Sequence, residues 1–384
     1  MRYSTKIALA GAAFASAALA VPAAQAVPIG PGDTIRNPAT MSEMYKDHYA
    51  PTGMCSVALT GDVDTGDGSQ PVIVTAGHCA GDKGVDVDEN TPKNKVVLTD
   101  GIYVPTRDGD VRVGDVEHHA APSDDFNPAD PLGLGMFAED DYTVAHATEN
   151  AQLVGGVQST NSDGSVTSEK RKITSIRDYP RLDATQPISF DNLGQPICKD
   201  GSRTGRSCGT QLARTNNSVL SLGLDMTPGD SGGLTWDKNT GEAVGINSMV
   251  SQTPVGQLGR AQTIDYALEN SYGIPDGEVN DRFSIAGDTD TPRADFMTID
   301  ETTELSTEYQ NEQHNGRIAD AQEAVDSAFD ATDTLSRTWQ NDPVGAAQEA
   351  HTAYNQSLSD WSGIAQTDPQ AALDGAHNSI NNHI

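Results

Sequence analysis

The residues with the clearest chemistry sit in Pro228–Gly229–Asp230–Ser231–Gly232–Gly233. A serine flanked by glycines on a tight turn exposes its hydroxyl and brings backbone N–H groups close to it. Glycine allows conformations and close approaches that a side chain would block. Two such N–H groups can hold a developing oxyanion. A hydroxyl is a weak nucleophile at neutral pH and needs a base. Upstream, His78 stands in Thr75–Ala76–Gly77–His78–Cys79, directly after the apolar run Val72–Ile73–Val74. Asp141 opens Asp141–Tyr142–Thr143–Val144. Taken singly, these are a core histidine, a surface aspartate and a turn serine. Together they are the set that acyl transfer needs: nucleophile, general base, and an acid that orients the base.

The elements that must position them read as short strands. Cys55–Leu59 and Pro71–Thr75 are apolar runs of strand length, with a turn cluster at 61–68 between them. The aspartate spacing in that cluster hints at a calcium loop, but no glutamate sits at the twelfth position, so a hairpin connector is the reading. Val96–Leu98 and Val111–Val113 follow as strands. His118 and His119 are adjacent and would face opposite sides of a strand, which makes them a poor metal pair. Residues 121–135 read as a loop, and 151–190 alternate apolar and polar residues. Residues 27–50 read as an irregular arm and 273–300, rich in Gly, Pro and Asp, as a linker. From 301 to 384 apolar residues recur at helical spacing: Ile318, Ala321, Val325, Ala328, Thr332, Leu335, Trp339, then Ala347, Tyr354 and Trp361. Asp342–Pro343 and Asp368–Pro369 look like N-cap and first-turn pairs. An acidic helical hairpin or small bundle is expected, as a stabilising appendage or as an envelope or partner-binding module.

Composition narrows the class. The chain has 384 residues, with 24 Lys and Arg against 55 Asp and Glu, a formal net charge of −31. Such a surface repels nucleic acid. Arg2 and Lys6, the apolar run Ile7–Val21 and Ala24–Gln25–Ala26 read as a signal peptide over 1–26, with Val27 as the new N-terminus. No later stretch is long and apolar enough to span a membrane. The expected location is extracellular or at the cell envelope. Four cysteines in an exported chain imply two disulfides, with three pairings open. Their spacings lack the paired clusters of a zinc site, and neither a metal nor a cofactor is expected.

The order His, Asp, Ser separates two readings of the glycine-flanked serine. In the α/β-hydrolases the order is Ser, acid, His, and here the histidines after Ser231 lie only in the polar tail. With its cysteine contexts, the chain resembles the chymotrypsin-like (trypsin-like) serine peptidases. The loop Ile197–Cys198–Lys199–Asp200–Gly201–Ser202–Arg203–Thr204–Gly205–Arg206–Ser207–Cys208–Gly209 is closest to the secreted actinobacterial branch, the streptogrisin and α-lytic type. The resemblance covers a peptidase domain over 51–272.

That resemblance implies an all-β fold of two antiparallel six-stranded barrels with the active site between them, plus the C-terminal α-helical extension. It implies a secreted serine endopeptidase acting on protein or peptide substrates through an acyl-enzyme. His78 is the base, Asp141 its orienting acid in preference to Asp140, and Ser231 the nucleophile. The N–H groups of Gly229 and Ser231 form the oxyanion hole. The implied disulfides are Cys55–Cys79 and Cys198–Cys208. Lys199 would pair with Asp230, with the α-amino group of Val27 as the rival partner. Ser248, Met249 and Val250 would line the triad and the primary specificity pocket. Asp225 is six before Ser231, where trypsins bind Arg or Lys, but Met226–Thr227–Pro228–Gly229 resembles a longer loop that moves it off the pocket floor. The cysteine expected in that loop is absent, and Val250 would narrow the pocket. The alternative function is a silent or latent peptidase-fold protein that works through its helical tail.

Overall fold

The computed structural model describes residues 26–36, 39–40, 54–80, 97–98, 101–106, 109–122, 139–253, 256–289, 293, 295–339 and 341–383. The expected signal peptide lies outside them except for Ala26, as do most of the loop at 121–135 and residues 37–38 and 41–50 of the expected arm.

The first body runs through β1 (Val27–Ile29), β2 (Thr34–Arg36), β3 (Ala39–Thr40), β4 (Met54–Ser56), β5 (Leu59–Asp64), β6 (Ser69–Thr75), β7 (Val97–Leu98), β8 (Gly101–Thr106), β9 (Gly109–Ala120) and β10 (Tyr142–Ala147). Three short strands lead out of it: β11 (Ala151–Leu153), β12 (Gly156–Val157) and β13 (Arg171–Lys172). The second body is β14 (Pro196–Gly201), β15 (Gly205–Arg214), β16 (Ser218–Leu222), β17 (Leu234–Asp237), β18 (Ala243–Thr253) and β19 (Gly256–Thr263). These six close into an antiparallel barrel in the order β14-β15-β16-β19-β18-β17. The remaining elements are α1 (Ile264–Tyr272), α2 (Val279–Arg282), β20 (Phe283–Ile285), α3 (Ile299–Thr338), α4 (Pro343–Thr367) and α5 (Pro369–His383). Among the described residues no helix is long and apolar enough to cross a membrane.

The first body departs from the expected closed six-stranded barrel. It is an eight-stranded sheet in the order β20-β5-β6-β10-β9-β8-β2-β4. Inside it, between β5 and β10, lies β6, where β-branched Val72, Ile73 and Val74 are wholly buried, as such side chains favour on a pleated surface packed on both faces. The first half of the stretch read as a turn over 61–68 is strand. Asp62 and Asp64 belong to β5 and pair with Pro71 and Ser69, leaving only a tight connection in which Thr65 N donates to Gly68 O.

Two segments expected to be irregular are parts of the fold. In the arm, Val27–Ile29 pairs in parallel with β11, β2 lies between β4 and β8, and Ile29 and Ile35 are core residues. In the linker, Phe283–Ile285 pairs with β5. Gly61 allows this: a Cβ there would meet Ser284 O at 2.3 Å and the Phe283 ring at 2.6 Å. Further on, Arg293 binds Asp33 and the carbonyl of Gly156, and Met297 N donates to Pro105 O at 2.7 Å. Apolar residues too sparse to show a period are enough here, because each docks on an edge already formed.

The tail is helical, and α3 packs on both α4 and α5. A reciprocal capping box starts α3, with Glu301 N donating to Thr298 Oγ1 and Thr298 N donating to Glu301 Oε2. Asp342 and Asp368 accept from Gly345 N and Ala371 N at the starts of α4 and α5. The packed seam keeps Ala321 of the expected faces and otherwise differs from them. It is built on Ala321, Ala324, Ala331, Ala346, Ala371 and Ala372, whereas Trp339 and Tyr354 are more than half exposed. Small residues win because the helices approach closely: a Cβ on Gly375 would lie 2.6 Å from Ala321 Cβ.

If residues 273–300 are structural, Phe283→Ala will cost about 3–5 kcal/mol of stability in urea unfolding. Ser284→Ala, on the exposed side of the same strand, will cost under about 0.5 kcal/mol. Equal and negligible losses would mean a free linker.

Candidate active site

Antiparallel pairing brings the first two site residues together. Thr143 of β10 lies opposite Thr75 of β6, so Asp141, just before β10, arrives beside the 3-10 turn Gly77–Cys79 that carries His78. Gly77 is required at that turn, since a Cβ would fall 1.8 Å from Ala120 O. The disulfide Cys55–Cys79 ties β4 to the same turn, and Cys198–Cys208 closes the β14–β15 hairpin.

His78 Nδ1 lies 3.0 Å from Asp141 Oδ2 and 3.1 Å from Oδ1, and His78 N donates to Oδ1 at 3.0 Å. Ser248 of β18 donates its hydroxyl to Asp141 Oδ2 at 2.5 Å, and Asp141 N donates to Gln262 Oε1 of β19. The carboxylate is thus buried and clamped from both bodies. Burial pushes its pKa up, but His78 and the Ser248 hydroxyl outweigh that and hold it below the usual carboxylate range. Burial likewise pulls the His78 imidazole down, and the hydrogen-bonded Asp141 carboxylate more than reverses this, leaving His78 above its ordinary 6.5. The outer edge of the imidazole faces solvent, with a side-chain exposure of 39%. Asp140 is engaged elsewhere, by Asn217 and Tyr266.

Ser231 comes in on the turn between β16 and β17. Its carbonyl accepts from Ser56 N at 2.7 Å, next to the first disulfide. Gly232 N donates to Asn247 O at 2.7 Å, next to Ser248. Gly232 has a φ of 79°, and a Cβ there would meet Thr75 Oγ1 at 2.1 Å, so only glycine lets the turn seat this closely beside the histidine turn. The Gly229 carbonyl is turned away, accepting from Ser56 Oγ at 2.8 Å and Ser202 Oγ at 3.1 Å. The Gly229 and Ser231 amides have no hydrogen-bond acceptor among the described residues. Ser231 Oγ makes no hydrogen bond to His78; such bonds are often long in unliganded sites and tighten with substrate.

Behind the turn, Lys199 Nζ sits 3.1 Å from Asp230 Oδ2, both side chains fully buried. Asp230 also accepts from Arg203 N, Thr204 N, Thr204 Oγ1 and Thr227 N. The rival partner, Val27, is elsewhere: its nitrogen donates to Asn150 O at 2.7 Å.

The pocket residues divide. Ser248 is at the acid, and Met249 pairs in register with Arg260. Val250 packs on a cluster that includes Met226, whose Sδ is 3.1 Å from where a Gly259 Cβ would be. Asp225 is exposed, its backbone tied to Ser207 and Thr204, so it is not the floor of a pocket. The longer loop places buried Met226, not Asp225, on the inner side.

Sequence reasoning missed four residues of this site. Ser56 and Asn247 hold the turn, and Gln262 and Arg260 stand behind Asp141. Each is a polar residue in a strand, a pattern that ordinarily marks a solvent face. Ile299, the first residue of α3, was also missed: it is buried, 3.2 Å from where a Gly229 Cβ would be.

No protein-family model matches the chain. No curated protein matches it either. Solved structures similar to it include the Nocardiopsis protease NAPase, at 20% identity and a TM-score of 0.38, covering 68% of this chain and 100% of that one. Another is a glutamic acid specific serine protease that uses a novel histidine triad in substrate binding, at 19% identity and a TM-score of 0.39, covering 64% and 98%. A third is Thermobifida fusca Protease A, at 16% identity and a TM-score of 0.38, covering 68% and 99%.

Removing one member of a buried ion pair leaves an uncompensated charge, so Lys199→Met will cost about 3–5 kcal/mol in urea unfolding. Lys238→Met, at an exposed lysine, will cost under about 0.5 kcal/mol. A Lys199→Met protein as stable as the parent would remove the pair from the fold's supports. These turns lie between the closed antiparallel barrel and the second β body.

Proposed function

We propose that the chain is an exported serine endopeptidase. Ser231 attacks the scissile carbonyl, His78 takes its proton and returns it to the leaving amine, and Asp141 holds the imidazole and stabilises the imidazolium. The Gly229 and Ser231 amides receive the oxyanion, each such donor contributing about 2.7–4 kcal/mol to the transition state. The observation that carries this reading is the buried Asp141, hydrogen-bonded to His78 from one body and to Ser248 from the other. Export is supported by the charged, apolar and small-residue pattern of residues 1–26 and by two disulfides. Exposed Asp225 speaks against a basic residue before the scissile bond.

One observation favours a second reading, a latent or silent protein: Ser231 Oγ is not hydrogen-bonded to His78.

Labelling by a fluorophosphonate probe separates the two. The active reading expects Ser231 of the intact protein to label, Ser231→Ala not to label, and Asp141→Asn to slow labelling by about 10³–10⁴-fold. The rate should rise with pH as His78 loses its proton, with a midpoint above 6.5, since Asp141 favours the imidazolium. Folded protein that stays unlabelled at every pH would overturn the active reading. Labelling gained after limited proteolysis would identify a latent form.

A further inference from the structure

Arg260 of β19 is fully buried beside the triad acid, and nothing in the mechanism above uses it. It donates from Nε to Ser218 Oγ at 2.8 Å, from Nη1 to Ser248 Oγ at 2.9 Å, and from Nη2 to Gln262 Oε1 at 3.3 Å and to the Glu139 carbonyl. All four acceptors are uncharged. A buried guanidinium stays protonated and needs a counter-charge nearby. The carboxylate with the largest effect on it is Asp141, ahead of Asp140 and Glu139. One hydroxyl separates the two: Ser248 Oγ accepts from Arg260 and donates to Asp141 Oδ2.

A serine hydroxyl has one proton. Arg260 is donor only, so its bond to Ser248 Oγ turns that proton toward Asp141. Gln262 Oε1 links the same two residues by a second route, accepting from Arg260 Nη2 and from Asp141 N. Arg260 therefore reaches both the side chain and the backbone of the triad acid.

We propose that Arg260 is a positioning residue, a fixed cation that locks the Ser248 hydroxyl onto Asp141 and sets the charge balance of the Asp141–His78 pair. This rests on the peptidase reading for its purpose, though not for its measurement. Arg260 and the His78 imidazolium share one carboxylate. Arg260 opposes the protonation of His78 that Asp141 favours, and so keeps more of the imidazole neutral and able to act as base. Other titratable groups around the pair are Glu139 and Asp140 before β10, Tyr266 of α1, which donates to Asp140, and His119 of β9, which is bonded to Thr143. Of these, none occupies the link through Ser248.

The test is an NMR titration of the His78 imidazole in the full chain, which needs no catalytic activity. Arg260→Met and Arg260→Gln remove the charge and should raise the His78 pKa by about 0.5–1 unit. Arg260→Lys keeps the charge and should leave it within about 0.2 unit while slowing fluorophosphonate labelling, because an ammonium lacks the fork that reaches Ser248 and Gln262 together. A purely structural role would not sort the variants by charge. In the parent protein, the Arg260 guanidinium signals should shift with the same midpoint as His78. Unchanged His78 titration in folded neutral variants, or Arg260 signals that stay flat through that midpoint, would overturn the proposal. Failure of Ser231 to label would count against the peptidase reading alone.

Discussion

A carboxylate held away from water is the constraint on which this structure turns. Burial alone pushes the Asp141 carboxyl toward its protonated form, and the donors that converge on it from both bodies outweigh that push. His78 comes from the end of β6 and Ser248 from β18 of the barrel. The two bodies therefore meet at a charge, not only at an apolar surface. A small relative movement would strip donors from it, and the interface is correspondingly specific in register. Any account of how the site is kept in order has to begin with what satisfies this one group.

The serine turn obeys the same logic one layer further in. Asp230, next to Ser231, is fully buried and would be intolerable alone. Lys199 and donors from Arg203, Thr204 and Thr227 make it an anchor instead. Because the anchor is internal to the barrel, the turn is held without help from Val27, whose strand lies against β11. The tail adds contact from outside. Ile299 packs beside Gly229, and Asp300 N donates to Ser162 O at 3.0 Å. The helical extension is thus seated against the loop that carries Gly229, not hung from the chain end.

Much of this was legible in the residue pattern, and the reasons for the rest are physical. Glycine-flanked Ser231, the apolar run into His78 and the Asp-Pro pairs at the helix starts all act locally, so their sequence signatures survive folding. Arg260 does not act locally. An arginine in a strand ordinarily faces water, and only the closure of the barrel against Asp141 turns it inward. The segment 273–300 was opaque for a similar reason. Its composition is that of a linker, yet Phe283 finds an edge prepared by Gly61, far earlier in the chain. In the helices, periodicity found the elements but misjudged the seam. Ala321 and Gly375 permit a closer approach than Trp339 could, so the large residues were left outside.

The strand added at β5 has a consequence for how the protein is made. Arg282 at its start reaches Asp64, a contact between residues 218 apart in sequence. Closing so long a loop is entropically costly and comes late, and topologies rich in such contacts fold slowly. Until the chain beyond the barrel arrives, the outer edge of β5 is an unpaired ladder, the kind of edge that recruits other chains. The first body to be synthesised is therefore among the last to be completed. Until then its exposed rim is a strand edge open to pairing, a condition set by strand order rather than by the chemistry of the site.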